Sequence, residues 1–281
     1  MELSRRVWRE IDQDAVTDRA AALVYYFLFS LFPALLFLTA LIAYLPLQGL
    51  QDRLLTYATD MLPPDAAATL ERTLAEIVGI RRGGLVSLGV LAALWASSNG
   101  MASLMSTMNR VWGVKERRSW WRRRLVAIGL TLGFSVFIIG SLLLLVFGGV
   151  IGGAIANFFG MGGVFKVIWN AVSIPLVVVC ALFAIELVFY AAPAGPREWQ
   201  WITPGAAFAL AAWLAMSFGL RFWVSRFADY SATYGSIGGV ILLMLWLYLT
   251  SVVLLVGAEI DAEIQAASRS TEPLRRVPRA A

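Results

Sequence analysis

Long runs of apolar residues alternate along this chain with short polar stretches. A helix needs about 20 residues to cross the hydrocarbon core of a bilayer. Runs of that order fall at 23–45, 85–108, 125–151, 167–190, 201–224 and 236–260. The pattern predicts an all-α integral membrane protein, a bundle of six transmembrane helices filling residues 23–262. Pro33 sits inside the first run. It lacks a backbone N–H and crowds the preceding turn, which predicts a kink over residues 29–33.

Two stretches follow a different rhythm. Ahead of the first run, Val7, Trp8, Ile11 and Ala15 recur at helical spacing among Arg5, Arg6, Glu10, Asp12 and Asp14. They predict an amphipathic helix on the membrane surface within an N-terminal segment, residues 1–22. Between the first and second runs, residues 47–82 carry Asp52, Arg53, Asp60, Asp65, Glu71, Arg72 and Glu76 among leucines three and four positions apart. Pro63, Pro64 and Asp65 divide that stretch, so it reads as a helical hairpin outside the bilayer. Residues 263–281 read as a polar tail without fixed structure.

Charge gives the pattern an orientation. Sixteen of the 23 Lys and Arg residues fall on one side of the predicted bundle, seven of them in Arg110–Arg124, and seven fall on the other side. The positive-inside rule then places both termini in the cytoplasm of a bacterial inner membrane and the hairpin outside it. The net charge of +5 is read as topology, with no nucleic-acid partner. The first 19 residues alternate in charge and have no apolar core before a cleavage site, so the first span is expected to serve as the insertion signal.

Composition narrows the chemistry. The chain is 59% hydrophobic and 15% charged, where soluble domains are roughly half apolar and a quarter charged. It has no histidine and one cysteine, Cys180. That excludes an imidazole base, a histidine-dependent triad, an intrachain disulfide and a multi-cysteine zinc site. No cofactor and no metal is expected.

Small residues recur every four positions: Ala207, Ala211, Ala215 and Gly219; Ala92, Ala96 and Gly100; Gly129 and Gly133; Gly235 and Gly239. Such stripes predict close helix packing. Polar residues at membrane depth are costly to bury and mark candidate sites. Ser97, Ser98 and Asn99 either bond between helices or line a substrate path. Glu186, one turn inside its span, either pairs with Arg110 or Arg124 or contacts substrate. Arg221 either snorkels to head groups or binds an anion. Glu259, Asp261 and Glu263 end the last run, where carboxylates oppose the helix dipole. A structural clasp to the 117–124 arginines is expected there, ahead of a metal or catalytic site. With Asn109 and Arg110 these acids form a second polar cluster. Trp120, Trp121, Trp199 and Trp201 read as interfacial anchors.

Several segments carry a resemblance. Residues 20–33, AAALVYYFLFSLFP, are followed by Asn109-Arg110-Val111-Trp112, by Tyr234-Gly235-Ser236-Ile237-Gly238-Gly239 with Trp246-Leu247-Tyr248, and by Leu255-Val256-Gly257-Ala258-Glu259-Ile260-Asp261. In this order they resemble the YihY/BrkB family of bacterial inner-membrane proteins, which usually shows asparagine where Asp261 stands. The resemblance implies a six-span helical membrane protein and no agreed activity. It also brings the labels "virulence factor BrkB" and "ribonuclease BN". Metal-dependent RNA hydrolysis needs clustered ligands and an activated water, and this chain offers no histidine and no paired acidic motif in a soluble fold. The chain is therefore read as a non-enzymatic transporter or flippase-like protein for a hydrophobic or anionic lipid-like substrate, with membrane lipids as partners. The alternative is a non-transporting envelope scaffold or assembly partner with residues 47–82 as its docking surface; the further partners expected are an envelope protein or a second copy of the chain.

Overall fold

Every regular element among the described residues is an α-helix. The structure is a computed structural model, and it describes residues 2–44, 85–158, 163–195, 197, 199–226 and 230–271. The hairpin expected over 47–82 and the last ten residues lie outside that set. The helices are α1 (Glu2–Gln13), α2 (Val16–Tyr44), α3 (Leu85–Val111), α4 (Trp120–Phe158), α5 (Gly163–Ala191), α6 (Pro204–Arg226) and α7 (Tyr230–Thr271). The fold is that of an all-α integral membrane protein. Among the described residues, five stretches are long and apolar enough to cross a bilayer: Val16–Leu38, Leu88–Val111, Trp120–Ser141, Pro204–Val224 and Gly238–Ser268. The remaining expected span falls on α5, which carries a shorter apolar stretch, Pro175–Ala191. Both α2 and α5 run on through an internal proline, Pro33 and Pro175.

The chain divides into two compact units. One comprises residues 30–98 and 131–181, which take in the C-terminal parts of α2 and α4 and the N-terminal parts of α3 and α5. Its buried positions include Phe37, Ala40, Ala93 and Ile139. Ser97, Ser98 and Ser135 are buried there too, and each hydroxyl donates to a carbonyl of its own helix: Leu94, Trp95 and Thr131. Back-bonding of this kind satisfies a hydroxyl in an apolar setting without a partner helix.

The other unit comprises residues 1–29, 99–130 and 182–281. Its core joins Val16, Leu23, Met105, Met108, Val111, Ala127, Phe189, Ala206, Ala209 and Leu255. Within it α6 and α7 pack most extensively, followed by α1 against α7. The α6–α7 seam is tight at one end, where a Cβ on Gly257 would sit 2.6 Å from the Gly205 carbonyl oxygen and 2.8 Å from the Ala209 Cβ. Further along, Trp213 Nε1 donates to Thr250 Oγ1 at 3.2 Å and Trp246 Nε1 to Ser217 Oγ at 3.3 Å. Small residues and paired polar groups are what hold helices together in lipid.

Three expectations change. The packing face of α6 is Gly205, Ala206, Ala209 and Leu210, all buried, whereas Ala207, Ala211, Ala215 and Gly219 point outward. A four-residue stripe shows that a helix has a small-residue face, but not which way it points. The N-terminal helix does not only lie on a surface: Ile11 packs against the core while Trp8 stays 74% exposed. Finally, α7 does not stop near Ile260. It continues to Thr271, because Ala262, Glu263, Gln265, Ala266 and Ala267 are all good helix formers.

Candidate functional site

The polar side chains of the second unit gather where α5 ends, α6 begins and α7 passes. Thr203 precedes Pro204, the first residue of α6. This is the order helix starts favour, a hydroxyl cap followed by a proline that needs no N–H. Thr203 Oγ1 accepts from the Ala206 N–H at 3.2 Å and donates its own proton to Glu186 Oε2 at 2.8 Å. Glu186 lies on α5 and is 4% exposed. From α7, Asp261 Oδ1 accepts the Gly205 N–H at 2.7 Å. Asp261 is 6% exposed, and its Oδ2 has no hydrogen-bond partner among the described residues.

This arrangement depends on the glycine contact. Asp261 is one turn beyond Gly257, and only backbone-to-backbone packing of Gly205 on Gly257 brings its carboxylate onto the start of α6. The position is also electrostatically sound. A carboxylate at a helix N-terminus meets the positive end of the dipole, and with α7 continuing to Thr271 Asp261 lies well before the C-terminal turn of its own helix. Asp261 is thus clasped by α6 and not by the 117–124 arginines.

Arg197 completes the group. Its Nη1 donates to the Phe189 carbonyl, its guanidinium lies over the Trp112 ring, and its charge acts on both Glu186 and Asp261. The side chains line a partly open cavity of about 80 Å³ whose walls include Trp112, Tyr190, Arg197, Thr203, Gln265 and Ser268 together with the two carboxylates.

The loop after α3 braces the same end of α5. Asn109 is buried; its Oδ1 accepts the Ala194 N–H at 2.7 Å and its Nδ2 donates to Glu116 Oε2 at 2.8 Å. Glu116 pairs at 3.2 Å with Arg118, which donates to the carbonyls of Ala191 (3.2 Å) and Ala192 (2.7 Å). Two arginines therefore satisfy the carbonyls that the end of α5 leaves open.

The residues singled out in the sequence are distributed unevenly about this cavity. Glu186 and Asp261 line it. The expected pairing of Glu186 with Arg110 or Arg124 is replaced by Thr203 and the charge of Arg197; Arg110 is exposed, and Arg124 Nη1 donates to Asn99 Oδ1 at 2.7 Å. Ser97 and Ser98 are satisfied on their own helix in the other unit, and Arg221 is exposed on α6. Glu259, 2% exposed, faces Glu10 and Asp14 of α1 and Glu263 of its own helix, away from the expected arginine clasp. Thr203 and the cavity role of Arg197 were not anticipated. The Thr203-Pro204 helix start was the available signal.

Comparison with known proteins bears on the whole chain. Residues 7–280 match the family model described as "Virulence factor BrkB". A Bacillus subtilis (strain 168) protein, YfkH, whose name calls it ribonuclease-like, is 39% identical over 245 residues, covering 87% of this chain and 88% of YfkH. A UPF0761 membrane protein of Alkalilimnicola ehrlichii is 28% identical over 258 residues, covering 88% of this chain and 54% of that protein. One from Stenotrophomonas maltophilia (strain K279a) is 27% identical over 268 residues, 93% of this chain and 60% of its own length. The chain thus spans most of YfkH but only about half to three-fifths of these two longer relatives. No solved structure matches it significantly.

Proposed function

The chain belongs to the virulence factor BrkB family of membrane proteins, and from that premise we propose that it transports a lipid-like amphipathic molecule whose polar head enters the cavity between Glu186 and Asp261. One observation carries this reading: two buried carboxylates, Glu186 and Asp261, line one polar cavity within the bundle. Replacing buried ionic groups with well-packed apolar ones is often neutral or stabilising. Ionisable groups kept inside membrane helices therefore point to a role beyond folding. The cavity lies at the arginine-rich end of the second unit, beside Arg118 and Arg197. By the positive-inside rule we place that end in the cytoplasm of an inner membrane.

The word ribonuclease belongs to the name of YfkH, and no arrangement among the described residues favours a nuclease. The test is reconstitution of the purified chain into liposomes with fluorescent phospholipids. Transbilayer movement above that of protein-free vesicles is expected. Rates equal to those of empty vesicles, for glycerophospholipids and lipid A precursors alike, would discard the proposal.

A further inference from the structure

We propose that the cavity between Glu186 and Asp261 binds a primary ammonium group, such as the amine of an ethanolamine-type head. This rests on the transport reading for its biological setting but not for its chemistry.

Charge comes first. Two buried carboxylates face one guanidinium, Arg197, and that guanidinium is already engaged by the Phe189 carbonyl and the Trp112 ring. The positive end of α6 adds only about half a charge. Buried charges are stable when paired, and on this count about half a negative charge in the cavity is left unbalanced.

Hydrogen bonding comes second. The Thr203 hydroxyl lies beside both carboxylates, but it has a single proton, and Glu186 Oε2 receives it. Asp261 Oδ2 is buried and receives nothing. An ammonium group offers three donors on one compact centre, enough to serve Asp261 Oδ2 and Glu186 together.

Size and lining come third. A cavity of about 80 Å³ has room for more than one water, which needs about 10–15 Å³ on that scale. Tyr190 and Phe189 on its wall suit the methylenes next to an amine, and an aromatic face attracts a cation. A quaternary ammonium has the charge but no N–H donor, so it would leave Asp261 Oδ2 unserved. Selectivity for primary over quaternary amines is the signature of this site.

The experiment is calorimetric titration of the purified full-length chain in detergent with ethanolamine hydrochloride, choline chloride and sodium chloride. A second arm uses nanodiscs of phosphatidylcholine with or without phosphatidylethanolamine and reads the thermal unfolding midpoint. Ethanolamine is expected to bind at least tenfold more tightly than choline or sodium, and Glu186→Gln to weaken it at least tenfold. Asp261→Asn should do the same; if that variant does not fold, Glu186→Gln decides. A raised midpoint in phosphatidylethanolamine nanodiscs, with weak free ethanolamine, assigns the amine to a lipid head. Tight free ethanolamine with no lipid effect assigns it to a soluble amine. Equal responses to choline and ethanolamine, or binding unchanged by Glu186→Gln, would overturn the proposal. Transport without any amine preference would also overturn it while leaving the transport reading intact. Amine binding without transport would support it and remove the transport reading instead.

Discussion

Gly205 and Gly219 lie on the same helix and differ in what a single methyl would meet. A Cβ on Gly205 would overlap the Gly257 carbonyl oxygen and fall 2.5 Å from the Asp261 Cγ. Gly219 has open space around it. Overpacking costs about 1–3 kcal/mol, more where backbone must move, so Gly205→Ala is expected to lose at least about 3 kcal/mol. Gly219→Ala is expected to gain up to about 1 kcal/mol, the helix preference for alanine over glycine. Thermal unfolding in detergent compares the two, and equal midpoints would refute the seam described for α6 and α7. Ala15, between α1 and α2, has φ of 47°, a left-handed conformation that costs a residue with a Cβ about 1–2 kcal/mol. Ala15→Gly should therefore keep or raise the unfolding midpoint, and a clear fall would contradict that account. At this scale the sequence marked Glu186 as costly, because a carboxylate in an apolar run is visible as such, and Asp261 as one of three acids that close the last run. It could not supply their partners. Thr203 and Gly205 come from another helix, and only the fold decides which helix ends meet.

The helices themselves were far more legible than their ends. An apolar run near 20 residues long admits little but a spanning helix, so each long helix was expected where it is found. Ends depend on capping and on neighbours. Trp201 was placed inside a span but lies ahead of α6, which starts at Pro204 with Thr203 as its cap. The arginine-rich loop read as an orientation signal, yet Arg118 also caps α5 through the carbonyls of Ala191 and Ala192. Hydrogen bonds to a charged donor contribute about 1.5–3 kcal/mol. Arg118→Ala is therefore expected to destabilise by about 2 kcal/mol and to speed amide exchange over the last turn of α5. Arg118→Lys should recover only part of this, since a lysine lacks the fork that reaches two carbonyls at once. Full rescue by lysine would argue that charge alone is at work.

For the molecule as a whole, composition and charge distribution carried most of the information. The distribution of 16 basic residues against 7 predicts that the arginine-rich end faces the cytoplasm. With Cys180, the one native cysteine, replaced by serine, a cysteine introduced by Ser119→Cys should react with a membrane-impermeant maleimide only after the cytoplasmic face is opened. Labelling in intact cells would reverse the topology. The direction in which each small-residue stripe points was not legible, because stripes on lipid-facing and packed faces look alike in a sequence.

The central claim is that the cavity between Glu186 and Asp261 serves transport. The most direct measurement is the rate of lipid movement in liposomes containing wild type, Glu186→Gln or Gly219→Ala, each checked for folding by its unfolding midpoint. Wild type and Gly219→Ala are expected to move lipid alike, with Glu186→Gln clearly slower, because an ionisable group kept inside the membrane marks a substrate path. A folded Glu186→Gln protein transporting at the wild-type rate would contradict the account.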